Sequence, residues 1–223
     1  MSTQILGSYQ IVDEFIDQRP VDSKLVLHDV SWDEYEAVLH KLIDPAGLRI
    51  AYDDGTLQIM TTSAEHEKYA RFLESLITVI RLRKRLTILS FGSATMRKRK
   101  KTKGNEPDAC FCVQSASLIG NRVDVDFEID PPPDVAVEID LHRDSISKFS
   151  IYAGLGVAEI WRYDGNELKI DLLEGEDYVS SNQSRALLML TGEILTNLLR
   201  RMREEGDSRA LLEFDNWIQN RPA

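Results

Sequence analysis

Asp134-Val135-Ala136-Val137-Glu138-Ile139-Asp140, then apolar positions Ile146, Phe149, Tyr152 and Ala153, then Val157-Ala158-Glu159-Ile160-Trp161: this stretch decides the fold. The first and last runs are strand-like, and the residues between them recur at helical spacing up to Gly154 or Gly156. Strand, short helix and strand in that order imply a crossover connection and a mixed sheet flanked by helices, an α/β class. Pro131-Pro132-Pro133 breaks the chain just before it.

Downstream, Asp164-Gly165-Asn166 turns the chain into a strand over Leu168 to Leu173. Residues 191 to 204 and 208 to 219 read as helices, with Ile194, Leu195, Leu198, Leu199 and Met202 in one stripe suited to core packing or a partner contact. Upstream, Ser31-Trp32-Asp33-Glu34 has the form of a capping box for a helix over 32 to 43. Leu48 to Tyr52 and Leu57 to Met60 flank Asp53-Asp54-Gly55, a hairpin signal that adds an N-terminal antiparallel extension to the sheet. Thr62-Ser63-Ala64-Glu65 reads as a second capping box, opening a helix to about Lys84 that carries Tyr69, Phe72, Leu73, Leu76, Ile77 and Ile80 on one face. On that helix Glu65 falls on the apolar side, His66 at the other edge of the stripe, and Glu67 nearly opposite. Leu86 to Thr95 and Ala109 to Val113 read as paired strands around a basic turn, and Val123, Val125, Phe127 and Ile129 alternate with acids as a half-exposed strand.

The 223 residues carry no long low-complexity linker and no internal repeat, so a single domain over 1–223 is expected, with an N-terminal extension over 1–29 and C-terminal helices over about 190–220. A hydrophobic content of 43% without any membrane-length apolar run, and an N-terminus without a secretory pattern, point to the cytoplasm and away from a membrane. Cys110 and Cys112 read as reduced, buried thiols, and the four scattered histidines do not complete a zinc set. A net charge of −10 argues against polyanion binding by the whole surface. Positive charge is nevertheless concentrated at Arg81, Arg83, Lys84 and Arg85 and again at Arg97, Lys98, Arg99, Lys100, Lys101 and Lys103, just before Asp108. The latter run is either a nucleic-acid-binding rim or a solvated hairpin tip.

The chemistry-bearing residues cluster around that run. Asp108 follows Glu106-Pro107 at the start of one apolar run, Glu138 and Asp140 end another, and Lys148 follows shortly after. Two strand-end carboxylates plus a cation are what phosphodiester hydrolysis requires: acids for a hard divalent ion, a cation for the attacking water or the developing charge. Glu65, or His66 in its place, reaches in from the preceding helix. Asp124, Asp126, Glu128 and Asp130 instead read as a solvated edge that discourages strand addition, and Asp144 as a helix cap.

Trp32-Asp33-Glu34-Tyr35, Asp54-Gly55, Glu65-His66, Pro107-Asp108, Asp134 to Asp140, Lys148 with Tyr152, and Gly156-Val157-Ala158-Glu159-Ile160-Trp161-Arg162-Tyr163-Asp164 together make the chain, over residues 30–175, resemble the Uma-two family of restriction-type endonucleases. Pro-Pro-Pro-Asp before the acidic strand resembles its cyanobacterial members. The resemblance extends to the PD-(D/E)XK nuclease superfamily and implies a restriction-endonuclease-like fold and Mg²⁺- or Mn²⁺-dependent DNA cleavage. It implies Asp108 and Glu138 as metal ligands, Glu65 as the helix acid completing the shell, and Lys148, with Tyr152 one turn later, as a lysine displaced from the position that Asp140 occupies. Asp140 is then either a further ligand or a source of repulsion. A homodimer follows from the expectation that paired strand cuts need two sites. The alternative is a degenerate nuclease fold serving as a nucleic-acid-binding or interaction module.

Overall fold

The computed structural model describes residues 3–18, 22–42, 47–141 and 148–221; Asp144 and Ile146 lie outside the described residues. Two sheets meet where the chain passes from Asn105 to Asp108.

The first sheet is five-stranded and antiparallel, in the order β1-β3-β2-β6-β5: β1 (Lys24–Leu27), β2 (Leu48–Asp53), β3 (Thr56–Thr61), β5 (Met96–Lys98) and β6 (Lys103–Asn105). The β2–β3 hairpin closes on Asp54 and Gly55, both at positive φ (42° and 93°), as its Asp-Gly turn demands. Helix α1 (Thr3–Gln18) precedes β1, and α2 (Trp32–Lys41) carries the capping box, Ser31 and Glu34 bonding each other's backbone N–H. Trp32, Tyr35 and Val38 on α2 pack on Ile50, Tyr52, Leu57 and Ile59, with Tyr35 stacked on Tyr52 at 4.7 Å.

The second sheet is six-stranded and mixed, in the order β11-β10-β9-β8-β7-β4: β4 (Leu89–Ser90), β7 (Ala109–Cys112), β8 (Val135–Ile139), β9 (Glu159–Tyr163), β10 (Leu168–Glu174) and β11 (Asp177–Ser181). Only β8 and β9 pair in parallel, and α5 (Phe149–Leu155) lies between them in the chain, the crossover that the sequence order requires. Gly156, left-handed at φ 86°, ends α5 by donating to the carbonyls of Tyr152 and Ala153.

Strand alternation divides the core. Val135, Val137 and Ile139 of β8 join Trp161 and Tyr163 beneath α3 (Ala64–Lys84), α6 (Gly192–Glu205) and α7 (Asp207–Gln219). Ala136 joins Cys112, Ile151, Tyr152 and Leu155 on the other face, together with Ala116 and Ile119 of α4 (Ala116–Ile119). Glu138 therefore points to the face that α5 covers.

Three expectations need correction. The run 123–130 is not a strand: Asp126 accepts from Glu128 N at 3.0 Å and Asp130 accepts from Asp126 N at 3.0 Å, so local side-chain bonds replace the ladder and leave Val123 and Ile129 96% and 81% exposed. The strand expected over 86–95 shrinks to β4, because Gly92 turns left-handed (φ 58°); β4 does pair with β7, while the basic run forms the β5–β6 hairpin of the other sheet. Helix α3 is capped by Ser63, whose hydroxyl accepts from His66 N at 3.3 Å, one position later than the Thr62–Glu65 box. Helix α1, β1, α4 and β11 were not anticipated.

Cys110 and Cys112 are free and buried. Burial pushes the Cys112 thiol up to about 11, and Cys110 is raised as well. Since the thiolate is the nucleophile, the native protein should resist iodoacetamide in mildly alkaline buffer, and both thiols should label once urea unfolds it. Rapid labelling of the native protein, followed by mass spectrometry, would contradict this packing.

Candidate active site

The site is built where the two sheets exchange the chain. Glu106 N donates to Ile50 O at 2.9 Å and Glu106 Oε2 accepts from Ile50 N at 3.0 Å, so this residue completes the edge of β2. Pro107, with no N–H to satisfy, spans the gap. Asp108 N then donates to Val137 O at 2.9 Å and enters the second sheet.

The Asp108 side chain is 2% exposed. Its Oδ1 accepts from Arg49 Nε at 3.0 Å, its Oδ2 accepts from Ile139 N at 2.8 Å, and His66 Nε2 lies 3.3 Å from Oδ2. Burial raises the Asp108 pKa; His66 works against that rise, and the nearby charge of Glu138 adds to it. Arg49, on β2, also donates to Leu48 O at 2.8 Å and to Glu67 Oε1 at 2.5 Å. Burial alone would lower the arginine's pKa, but Asp108 and Glu67 more than offset it and the net shift is upward.

Glu138 is equally enclosed, at 3% exposure. Lys148 Nζ donates to its Oε2 at 2.9 Å; Tyr152 OH and Asn105 Nδ2 (3.2 Å) donate to its Oε1. Burial, then Glu138, raises the Tyr152 pKa well above the ordinary phenol value, so the hydroxyl keeps its proton and serves as a donor. Asn105 Nδ2 lies 2.6 Å from Tyr152 OH as well.

The structure thus brings Asp108, Glu138, Lys148, Tyr152 and His66 together. Glu65 does not join them: it is exposed, and Tyr69 OH reaches it at 3.4 Å. Helical phase put Glu65 and His66 at opposite edges of the apolar stripe; Glu65 meets Tyr69 there, while His66 reaches Asp108 and Glu67 reaches Arg49. Asp140 is half-buried just beyond β8, its N–H bonded to Tyr163 O at 2.7 Å. Arg49, Asn105 and Glu106 were missed by sequence reasoning; the one available signal was that Asn105 and Glu106 directly precede Pro107-Asp108.

The basic run is largely occupied. Arg99 pairs with Asp33 and Glu36, Lys103 with Asp53 and Asp54, Arg97 approaches Glu128 at 4.0 Å, and Lys98 donates to Leu155 O at 2.7 Å. Lys100 and Lys101 are exposed and, among the described residues, make no such contact.

Among the described residues no three or more His, Cys, Asp or Glu side chains converge as a complete metal cage. The donor set does suit a hard ion that keeps its waters. A carboxylate oxygen accepts two hydrogen bonds, and among the described residues Asp108 Oδ1 and Glu138 Oε2 receive one each, from Arg49 and Lys148.

The model of the Uma2 family, described as "Putative restriction endonuclease", matches residues 32–202. The chain belongs to the Uma2 family. A solved structure described as a putative nuclease belonging to DUF820 from Anabaena variabilis ATCC 29413 is similar to this Uma2 chain with a TM-score of 0.50 and 15% identity, over 76% of this chain and 99% of that one. At that identity the likeness speaks for the shared mixed α/β fold. No curated protein matches the chain.

Because burial raises the Asp108 pKa, the folded protein holds that proton more tightly than the unfolded chain does. Asp108's contribution to stability therefore falls as pH rises from the ordinary carboxylate range through the raised value. In EDTA, Asp108→Asn should melt above the wild type near neutral pH, since Arg49 retains Glu67. The gap should close on acidification, as wild-type Asp108 takes up its proton. A neutral-pH loss of melting temperature that persists in acid would mark the charged form as the stabilising one.

Proposed function

We propose that this Uma2 protein is a metal-dependent endonuclease that hydrolyses DNA phosphodiester bonds. The observation that carries the reading is the pair of enclosed carboxylates, Asp108 at the entry to β7 and Glu138 on β8, with the Lys148 ammonium 2.9 Å from the second. Asp108 and Glu138 would hold a Mg²⁺ or Mn²⁺ ion, which supplies a water of lowered pKa and neutralises phosphate charge. Arg49, His66 and the Ile139 N–H orient Asp108; Tyr152 donates to Glu138. Lys148, with three donor protons and one spent on Glu138, offers its others to the attacking water or the phosphate. Asp140, half-buried two residues after Glu138, would be either a further metal ligand or a source of repulsion, and Glu65, which is exposed, has no part in the reaction.

The two sheets act as one domain in this reading, because the Asn105–Asp108 passage supplies side chains to a single site. Lys100 and Lys101 are the phosphate contacts of the basic hairpin, and Arg97, Lys98, Arg99 and Lys103 shape it through their protein partners. One site cuts one strand, so cutting both calls for a homodimer. No helix among the described residues is long and apolar enough to cross a membrane; the reaction proposed here is a cytoplasmic one on DNA. A second reading, a degenerate fold that binds without cutting, is favoured by Asp140 at the superfamily's lysine position and by the full ionic pairing of both acids.

Supercoiled plasmid should be nicked in Mg²⁺ or Mn²⁺ and left intact in EDTA, and Glu138→Gln should abolish nicking. Cleavage that survives EDTA would overturn the metal mechanism; DNA binding without cleavage in either ion would favour the second reading. Lys148→Met should lower turnover by about 10²–10⁴ with Mn²⁺ affinity nearly unchanged. Removing one partner of a buried pair also costs about 3–5 kcal/mol, so its melting curve must be recorded alongside. Wild-type turnover in folded Lys148→Met would remove Lys148 from the mechanism.

A further inference from the structure

Asn105 is fully buried at the end of β6, and its backbone is held on both sides, opposite Ala51 of β2 and Met96 of β5. Its Nδ2 reaches Glu138 Oε1 at 3.2 Å and Tyr152 OH at 2.6 Å, while its buried Oδ1 has no hydrogen-bond partner among the described residues. A lone buried acceptor is destabilising. Turning the amide over would not relieve the strain, because Oδ1 would then face the Glu138 carboxylate, acceptor against acceptor. The orientation is thus set by Glu138 and Tyr152 at the expense of Oδ1.

A side chain kept only for packing would not need this unpaired oxygen. Leucine has nearly the same branched shape and carries no polar atom to leave unsatisfied. What the amide adds is direction: from the first sheet it fixes one oxygen of Glu138 and the hydroxyl of Tyr152, both carried by the second sheet and its crossover helix. The other Glu138 oxygen, Oε2, is left for Lys148 and for whatever approaches from the Asp108 side.

We infer that Asn105 is a positioning residue that sets the Glu138 carboxylate and the Tyr152 hydroxyl. The inference rests on the proposed nuclease reading for its effect on activity, and on the hydrogen bonds alone for its effect on Glu138. Groups that orient a metal ligand are typically worth about 10–100-fold in metal affinity or activity.

The test compares wild type with Asn105→Leu, and with Asn105→Ala should leucine fail to pack. Mn²⁺ binding is read by titration calorimetry, plasmid nicking by initial rate, and stability by melting in EDTA. Asn105→Leu gives up the donor to Glu138 and Tyr152 together with the unpaired oxygen, two effects of opposite sign, so its melting temperature should change little while Mn²⁺ affinity or turnover falls about 10–100-fold. A folded variant with wild-type affinity and turnover would overturn the inference. If the wild type neither binds Mn²⁺ nor cuts, the nuclease reading fails by itself, and the positioning role is decided by a double-mutant cycle of Asn105→Ala with Tyr152→Phe in metal-free melting. Non-additive losses would uphold the alignment of these groups, and additive ones would overturn it.

Discussion

Two carboxylates taken out of water within reach of each other are the constraint on which the rest of the structure depends. Each must be matched by donors that share its burial, because an unpaired buried charge costs far more than a domain's net stability can bear. Asp108 meets Arg49, His66 and a backbone N–H; Glu138 meets Lys148, Tyr152 and Asn105. Those donors come from β2, α3, β6, β8, α5 and the segment just ahead of α5. Satisfying two charges therefore ties the first sheet to the second and the crossover helix to both.

The pairs differ in what they contribute. Arg49 has a second acid, Glu67, so Asp108 is not its sole counterion, and desolvation outweighs attraction at Asp108. Among the described residues Lys148 has Glu138 as its one ion-pair partner. Loss of either member of that pair strands the other, which is why a change at Lys148 mixes chemistry with stability. Buried pairs are poor evidence of stability in their own right; their retention here fits a site whose charges serve another purpose.

Much of this was legible in the sequence where a local rule governs. The Asp54-Gly55 turn, the stripe of α3, the strand–helix–strand order around Lys148 and the Pro107-Asp108 element all rest on neighbours within a few residues. Local rules also misled: alternation over 123–130 pointed to a strand, but Asp126 and Asp130 bond nearby backbone instead, and helical phase alone did not tell that His66, rather than Glu65, meets Asp108. Arg49 and Asn105 were beyond reach for a different reason. Their partners lie 59 and 33 residues away, so nothing near them in the chain signals a role.

The central claim is that Asp108 and Glu138 jointly address one hard cation. A crystal of the protein soaked in Mn²⁺, with data collected at the manganese absorption edge, tests it most directly. One anomalous peak is expected within coordination distance of both carboxylates, absent from Glu138→Gln crystals treated the same way. No peak at this pair in the wild type, or a peak that persists unchanged in Glu138→Gln, would contradict it.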